Sequence, residues 1–380
     1  MKIVVFGLTI SSSWGNGHAT LWRGLARALI DRGHRFVFFE KDVPYYAGAR
    51  DLWQIPGGEL VLYPSWDEVL PYARSHLADA DVAMVTSYCA DAVAATCLAL
   101  DSPARLRAFY DLDTPVTLDG VRTGGGVPYL PPEGLGGFDL VLSFTGGAAL
   151  AELRSRLGAR RTAPLYGHVD PDVHRPVPPL DPELADASYL GTYAADRQSA
   201  LETLFVEPAR RMPERRFLIA GAQYPHDFPW TENVHFRRHL PPAEHPAFFC
   251  SSALTVNVTR RAMARMGWCP SGRLFEAAAC GVPILSDRWD GLETFLTPGA
   301  EILTATTTAE AMDAISLPRG ELARIAAAAR ERVLDEHTSA VRAAELEALL
   351  DAAVRRDPSP EPRGIHGDAM PRTRSMEAIG

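Results

Sequence analysis

Short, nearly continuous apolar runs alternate with amphipathic stretches along most of this chain. "KIVVFGL" reads as a strand buried on both faces, as in a parallel sheet. After a polar loop, "HATLWRGLARALIDRG" sets Leu21, Leu25, Ala28 and Leu29 on one helical stripe and offers Gly33 as a C-terminal cap. "RFVFFE" then supplies a second strand and completes a βαβ unit. The pattern continues with strands at "ADVAMVTS", "LRAFYDLD" and "FDLVLSFTGG" and helices at "DAVAATCLAL" and "AALAELRSRLG". Prolines accumulate near residues 165 to 185, where periodicity stops and a linker is predicted. A second series follows, through "ASYLGTYAADRQSALETLFVEPA", "RRFLIAGA", "NVHFRRHL", "EHPAFFCSS", "ALTVNVT", "RLFEAAACG", "VPILSD" and "EILTA", and ends in a helical tract from about Leu317 to Ala353.

Two alternating halves predict an α/β protein of two Rossmann-like domains with parallel sheets facing across a cleft. The expected units are 1–168 on the acceptor side, 169–354 on the donor side, and a disordered tail, 355–380, without apolar period. A length of 380 residues agrees with two cores. The net charge of −9 argues against a nucleic-acid groove. No stretch is apolar enough to span a membrane, and the opening residues read as a first strand, so a cytoplasmic protein without an integral membrane segment is expected. The cysteines, Cys89, Cys97, Cys250, Cys269 and Cys280, form no pattern that suggests a disulfide framework or a zinc site.

Ligands of parallel α/β domains bind beyond the C-terminal strand ends, so the loops there are searched for chemistry. In "TISSSWGNGHA", Gly15 and Gly17 let backbone N–H groups approach an anion or sugar, and His18 opens a helix as a candidate general base. A nicotinamide site fits this loop badly, because Thr20 replaces the third glycine of the fingerprint; Glu40, at the second strand end, is its remaining support. Asp111 and Asp113 in "FYDLDTP" are candidates for sugar hydroxyls or base work. A divalent-metal site there lacks a third ligand, and no metal is expected. In the second half, Arg197 follows a strand end, Arg238 lies at another, and Arg261 offers a further charge. Ser271 and Gly272 open a helix start that suits a diphosphate, Arg273 adds charge, and Glu276 one turn on is placed to accept both hydroxyls of a ribose. Ala277, Ala278 and Ala279 let this helix lie close on the sheet.

The run "RLFEAAACGVPILSDRWDGLETFL" resembles the donor site of GT-B glycosyltransferases, and "APLYGHVDPDVHRPVPP" their interdomain connection. With "WGNGHATLWRGLARALIDRGH", "FYDLDTPVTL" and "NVTRRAMARMGWCPSGRLFEAAACG", the chain is similar to the spore-maturation CgeB-like branch over about residues 1 to 345. The resemblance implies transfer of a sugar from a nucleoside diphosphate to a small-molecule, glycan or protein acceptor, with the nucleotide sugar as co-substrate and no cofactor. It places the ribose at Glu276, a second acidic contact at Glu293 and the diphosphate at Ser271 to Arg273. Asp111 stands where many relatives carry a histidine. Trp268 stands where retaining relatives carry the first of two glutamates, which leaves the stereochemistry open. A sugar-nucleotide 2-epimerase and a degenerate nucleotide or glycan binder are the alternatives. Domain closure about the linker on donor binding is expected, and N-domain loops are expected to carry the acceptor; Trp66 and Tyr129 there could stack on a sugar or aglycone, although single loop aromatics are more often packing residues.

Overall fold

The computed structural model describes residues 1–15 and 17–355; the expected tail lies outside them from residue 356 onward. The first sheet contains β1 (Lys2–Gly7), β2 (Arg35–Lys41), β3 (Glu59–Tyr63), β4 (Val82–Thr86), β5 (Leu106–Asp111), β6 (Leu140–Ser143) and β7 (Thr162–Pro164) in the order β3-β2-β1-β4-β5-β6-β7. The second contains β8 (Ala187–Leu190), β9 (Phe217–Gly221), β10 (Val234–Arg238), β11 (Thr255–Asn257), β12 (Ile284–Ser286) and β13 (Leu303–Thr304) in the order β10-β9-β8-β11-β12-β13. All pairings within both ladders are parallel.

The apolar runs become central strands because both faces are covered. On one face of the first sheet, Ile3, Val5, Phe36 and Phe38 pack with Trp22, Leu25 and Leu29 of helix His18–Asp31. On the other, Val4, Phe6 and Phe39 pack with Val69 and Leu77 of helix Trp66–Leu77 and with Ala95 and Ala99 of helix Ala92–Asp101. The second sheet is sandwiched likewise between two apolar clusters. Trp66 and Tyr129 take the packing alternative: Trp66 stands against Phe6 and Tyr63, and buried Tyr129 shares a 2.8 Å hydrogen bond with Thr117.

The helical tract at the C-terminus divides into Arg319–Glu336 and Ser339–Arg355. The second of these leaves its expected domain. Its Ala343, Leu346, Leu350 and Ala353 join the core of the first sheet, Glu347 pairs with Arg32 and His34, and Arg161 Nη1 donates to Ala352 O at 2.9 Å. The 169–354 boundary is corrected accordingly: sequence order assigns residues 339–354 to the second unit, and apolar packing assigns them to the first. The chain therefore crosses between sheets twice, and the crossings pair. Val169 N donates to His337 O at 3.0 Å, and Ser339 N to Val169 O at 2.7 Å.

Candidate active-site cleft

A cavity of about 390 Å³ lies where the C-terminal strand ends of the two sheets meet. Gly15, Gly17, His18, Asp113 and Phe144 line it from the first domain; Gly191 to Ala194, Arg197, His239, His245, Thr259, Arg260, Ser271 to Arg273 and Glu276 line it from the second. Two contacts join the domains beside it: the Trp14 and His239 ring centres lie 4.7 Å apart with the rings tilted, and Gln223 Nε2 donates to Tyr45 Oη at 2.8 Å.

The N-terminal loop takes its shape from Glu40. Its buried carboxylate accepts from Thr9 Oγ1 at 2.7 Å, Ile10 N at 2.8 Å, Ser11 N at 3.0 Å and Ser11 Oγ at 2.5 Å. Four donors satisfy a charge that burial would otherwise make costly. Glu40 is thus spent on its own loop, and the last support for a nicotinamide ribose contact goes with it. The loop delivers His18 as the first residue of its helix, with Nε2 3.9 Å from Asp113 Oδ2. Burial lowers the His18 pKa, Asp113 opposes this, and Arg260 adds to it. The lowered pKa favours the neutral imidazole, the form a base needs.

Asp113 and Asp111 have different tasks. Asp113 faces the cavity and accepts from Tyr88 Oη at 3.0 Å. Asp111, fully buried at the end of β5, is absent from the cavity wall; its Oδ1 accepts from Asp113 N at 3.2 Å and Thr117 Oγ1 at 3.0 Å. It positions the turn that carries Asp113.

Across the cleft, helix Gly272–Ala279 begins at Ser271, whose Oγ accepts from Arg273 N at 3.3 Å. Arg273 Nη1 donates to Asn257 Oδ1 at 2.8 Å, and the guanidinium lies 5.1 Å from the Tyr189 ring centre. Arg197 Nη1 donates to Thr192 O at 3.1 Å, and Arg260 Nε to Asp196 Oδ2 at 3.0 Å. Three guanidiniums and an open helix N-terminus thus converge on one wall, a setting for polyanionic groups. Deeper in, Glu276 is 8% exposed, and burial raises its pKa against the pull of His245 and Arg273. Backbone loops can crowd here because β9 ends in Gly221, where a Cβ would meet Gly191 O at 2.0 Å.

Of the residues expected from sequence, His18, Asp113, Gly15, Gly17, Arg197, Ser271, Gly272, Arg273 and Glu276 come together in this cavity. Arg238, Arg261 and Glu293 are exposed and stand outside its wall. The reason for Arg261 is a step of one residue: Arg260 is the extended residue before helix Arg261–Met266 and reaches the cleft, and the next side chain turns to solvent. Arg238 ends β10 while the cleft is lined one position later, by His239, which has a φ of 55°. Trp268 does not line the cavity either. With a φ of 44°, it wedges against Gly147 and Gly291, receives Gly146 N at its carbonyl at 2.9 Å and donates its N–H to Asp290 O at 2.7 Å. Arg260, Tyr88, Asn257, His174 and His245 escaped the sequence reading. "VDPDVHRP" and "AEHP" contain the two histidines, but nothing in their spacing announces that they meet.

Residues 197–348 match the family model described as "Glycosyl transferase-like". Among solved structures, sucrose-phosphate synthase from Thermosynechococcus elongatus is similar with a TM-score of 0.69 at 14% identity, covering 94% of this chain and 100% of that one. Anabaena Alr3699/HepE in complex with UDP-glucose gives 0.64 at 12% identity, over 93% and 100%. An alpha-glucosyltransferase in complex with UDP-glucose and DNA containing an abasic site gives 0.67 at 12% identity, over 92% and 99%. A search of curated proteins gave no match. The chain has the GT-B fold, and its second half carries the glycosyl transferase-like family pattern over residues 197–348.

Proposed function

We propose that this protein is a glycosyltransferase that moves a sugar from a nucleoside diphosphate to a hydroxyl or similar nucleophile in the cleft. The observation that carries the reading is the convergence of Glu276 and the Ser271 to Arg273 helix start with His18 and Asp113 across a single cavity. Glu276 takes the ribose hydroxyls; Ser271 to Arg273, Arg197 and Arg260 take the diphosphate. As the bond from the anomeric carbon to the diphosphate breaks, the leaving group receives the electron pair, and these cations and N–H groups stabilise its charge without a metal. His18, facing Asp113, accepts the proton of the acceptor hydroxyl as the new glycosidic bond forms.

The CgeB-like placement belongs to this proposal, as does a small-molecule, glycan or protein acceptor rather than a nucleic acid. So does a cytoplasmic, bacterial setting, where nucleotide sugars are made. Among the described residues, no helix is long and apolar enough to cross a membrane. UDP-glucose, held by two of the similar structures, is the first donor to test.

Calorimetry with UDP-, GDP-, dTDP- and ADP-sugars, on the protein and on Glu276→Ala, tests the donor site. One donor is expected to bind and to lose about 10- to 100-fold in affinity in the variant, since hydrogen bonds to a charged group contribute about 1.5–3 kcal/mol. Equal affinity in both proteins would remove Glu276 from the site; release of an epimerised sugar nucleotide would redirect the reaction.

A further inference from the structure

Glu276 has two neighbours that glycosyl transfer does not explain. His174, in the turn that follows the first crossing, is fully buried, and its Nε2 lies 3.9 Å from Glu276 Oε1. His245 opens helix His245–Cys250, and its Nδ1 lies 3.8 Å from Glu276 Oε2. One ligand atom from each of the three residues lies within 4.8 Å of the others.

The hydrogen bonds fix what these atoms offer. His245 Nε2 is 3.1 Å from Leu240 O, which only accepts, so Nε2 carries the proton and Nδ1 turns a lone pair toward the carboxylate. Among the described residues, neither ring nitrogen of His174 and not Nδ1 of His245 has a hydrogen-bond partner. The lone pair of His245 Nδ1, the unpartnered Nε2 of His174 and the Glu276 carboxyl group therefore face one another in a buried place, where polar atoms without partners are costly. A cation at their centre resolves this.

We propose that His174 Nε2, His245 Nδ1 and Glu276 form a site for one divalent transition-metal ion of the zinc class, whose fourth ligand position opens toward the donor cavity. Nitrogen-rich ligation of this kind selects zinc, cobalt or nickel over magnesium or calcium. A tetrahedral ion at ~2.0–2.2 Å from each ligand needs them roughly 3.4 Å apart, so the side chains have to close in by about 0.5 Å to 1.5 Å. The His245 to Leu240 bond supplies the outer support that metal-bound histidines commonly have. Since the ion occupies the carboxylate that the ribose needs, it competes with the nucleotide. Metal binding stands apart from the transferase reading; the competition rests on it.

The test is titration of the chelator-stripped full chain with Co²⁺, read from its visible absorption and displaced by Zn²⁺. One equivalent with the intense bands of a tetrahedral ion is expected, and His174→Ala and His245→Ala are each expected to weaken it at least 10-fold while melting as folded proteins. His174→Phe, which refills the buried volume, serves if the alanine variant does not fold. Absence of stoichiometric binding overturns the site, as does binding unchanged in the histidine variants, which would point to a surface thiol such as exposed Cys97. In the second arm, Zn²⁺ is expected to raise the apparent Kd for UDP-glucose in the native protein and to lose that effect in His174→Ala. Metal bound with nucleotide affinity unmoved keeps the site and overturns the competition. Metal bound where no nucleotide binds keeps the site and fails the donor reading.

Discussion

Asp111 and Asp113 are chemically identical and two positions apart, yet one is exposed to the cavity and the other to nothing but its own turn. Burial pushes the Asp111 pKa up to about 6, against the hydrogen bonds from Thr117 and Asp113 N. A carboxyl whose pKa is higher folded than unfolded lends stability that is fully present below its unfolded value, 3.8, and is lost as the pH rises through about 6. Asp111→Asn stays uncharged and can still accept from Asp113 N. Denaturant unfolding across pH 4 to 7 is expected to show the variant gaining on the native protein as the pH rises; parallel curves would mean that Asp111 ionises without cost. This split between neighbouring carboxylates was not legible in "FYDLDTP", because burial is decided by Thr117 and Tyr129, residues that arrive from the following helix and loop. Glu276 and the Ser271 turn were legible, since capping, charge and helical spacing are properties of adjacent residues.

At the scale of elements, the central strands announced themselves as apolar runs, and the peripheral β3 and β7 did not. β3 is only half-buried along most of its length and β7 has three residues, so neither produces a run that stands out from its flanks. Sequence placed Trp268 only by its motif position; its three-dimensional place, a wedge between loops of both domains, depends on Gly147 and Gly291, which are far from it in sequence or across a turn. That wedge makes a prediction about Gly291, which has a φ of 87° and where a Cβ would meet the Trp268 ring at 2.5 Å. Gly291→Ala is expected to lower Tm well beyond Gly299→Ala, whose φ is 79° but whose Cβ meets no described atom within 4 Å. The second substitution carries the left-handed backbone cost of about 1–2 kcal/mol, and the first adds overpacking of about 1–3 kcal/mol. Equal losses would show that the tryptophan moves aside.

The molecule as a whole is tied together by helix Ser339–Arg355, which sequence order hid because a helix carries no mark of the sheet it returns to. Removing residues 339–355 is expected to leave hydrogen-exchange protection in β8, β9 and β11 while lowering it in β1 and β2, whose Ile3, Phe36 and Phe38 share a cluster with Leu346 and Leu350. Protection lost evenly from both sheets would mean that the two cores unfold as one. The same helix sets an order of events on the ribosome. A protein of two domains usually completes the one synthesised first; here the first domain is expected to wait with an uncovered apolar face until helix Ser339–Arg355 has left the exit tunnel, after the second sheet and its covering helices have emerged.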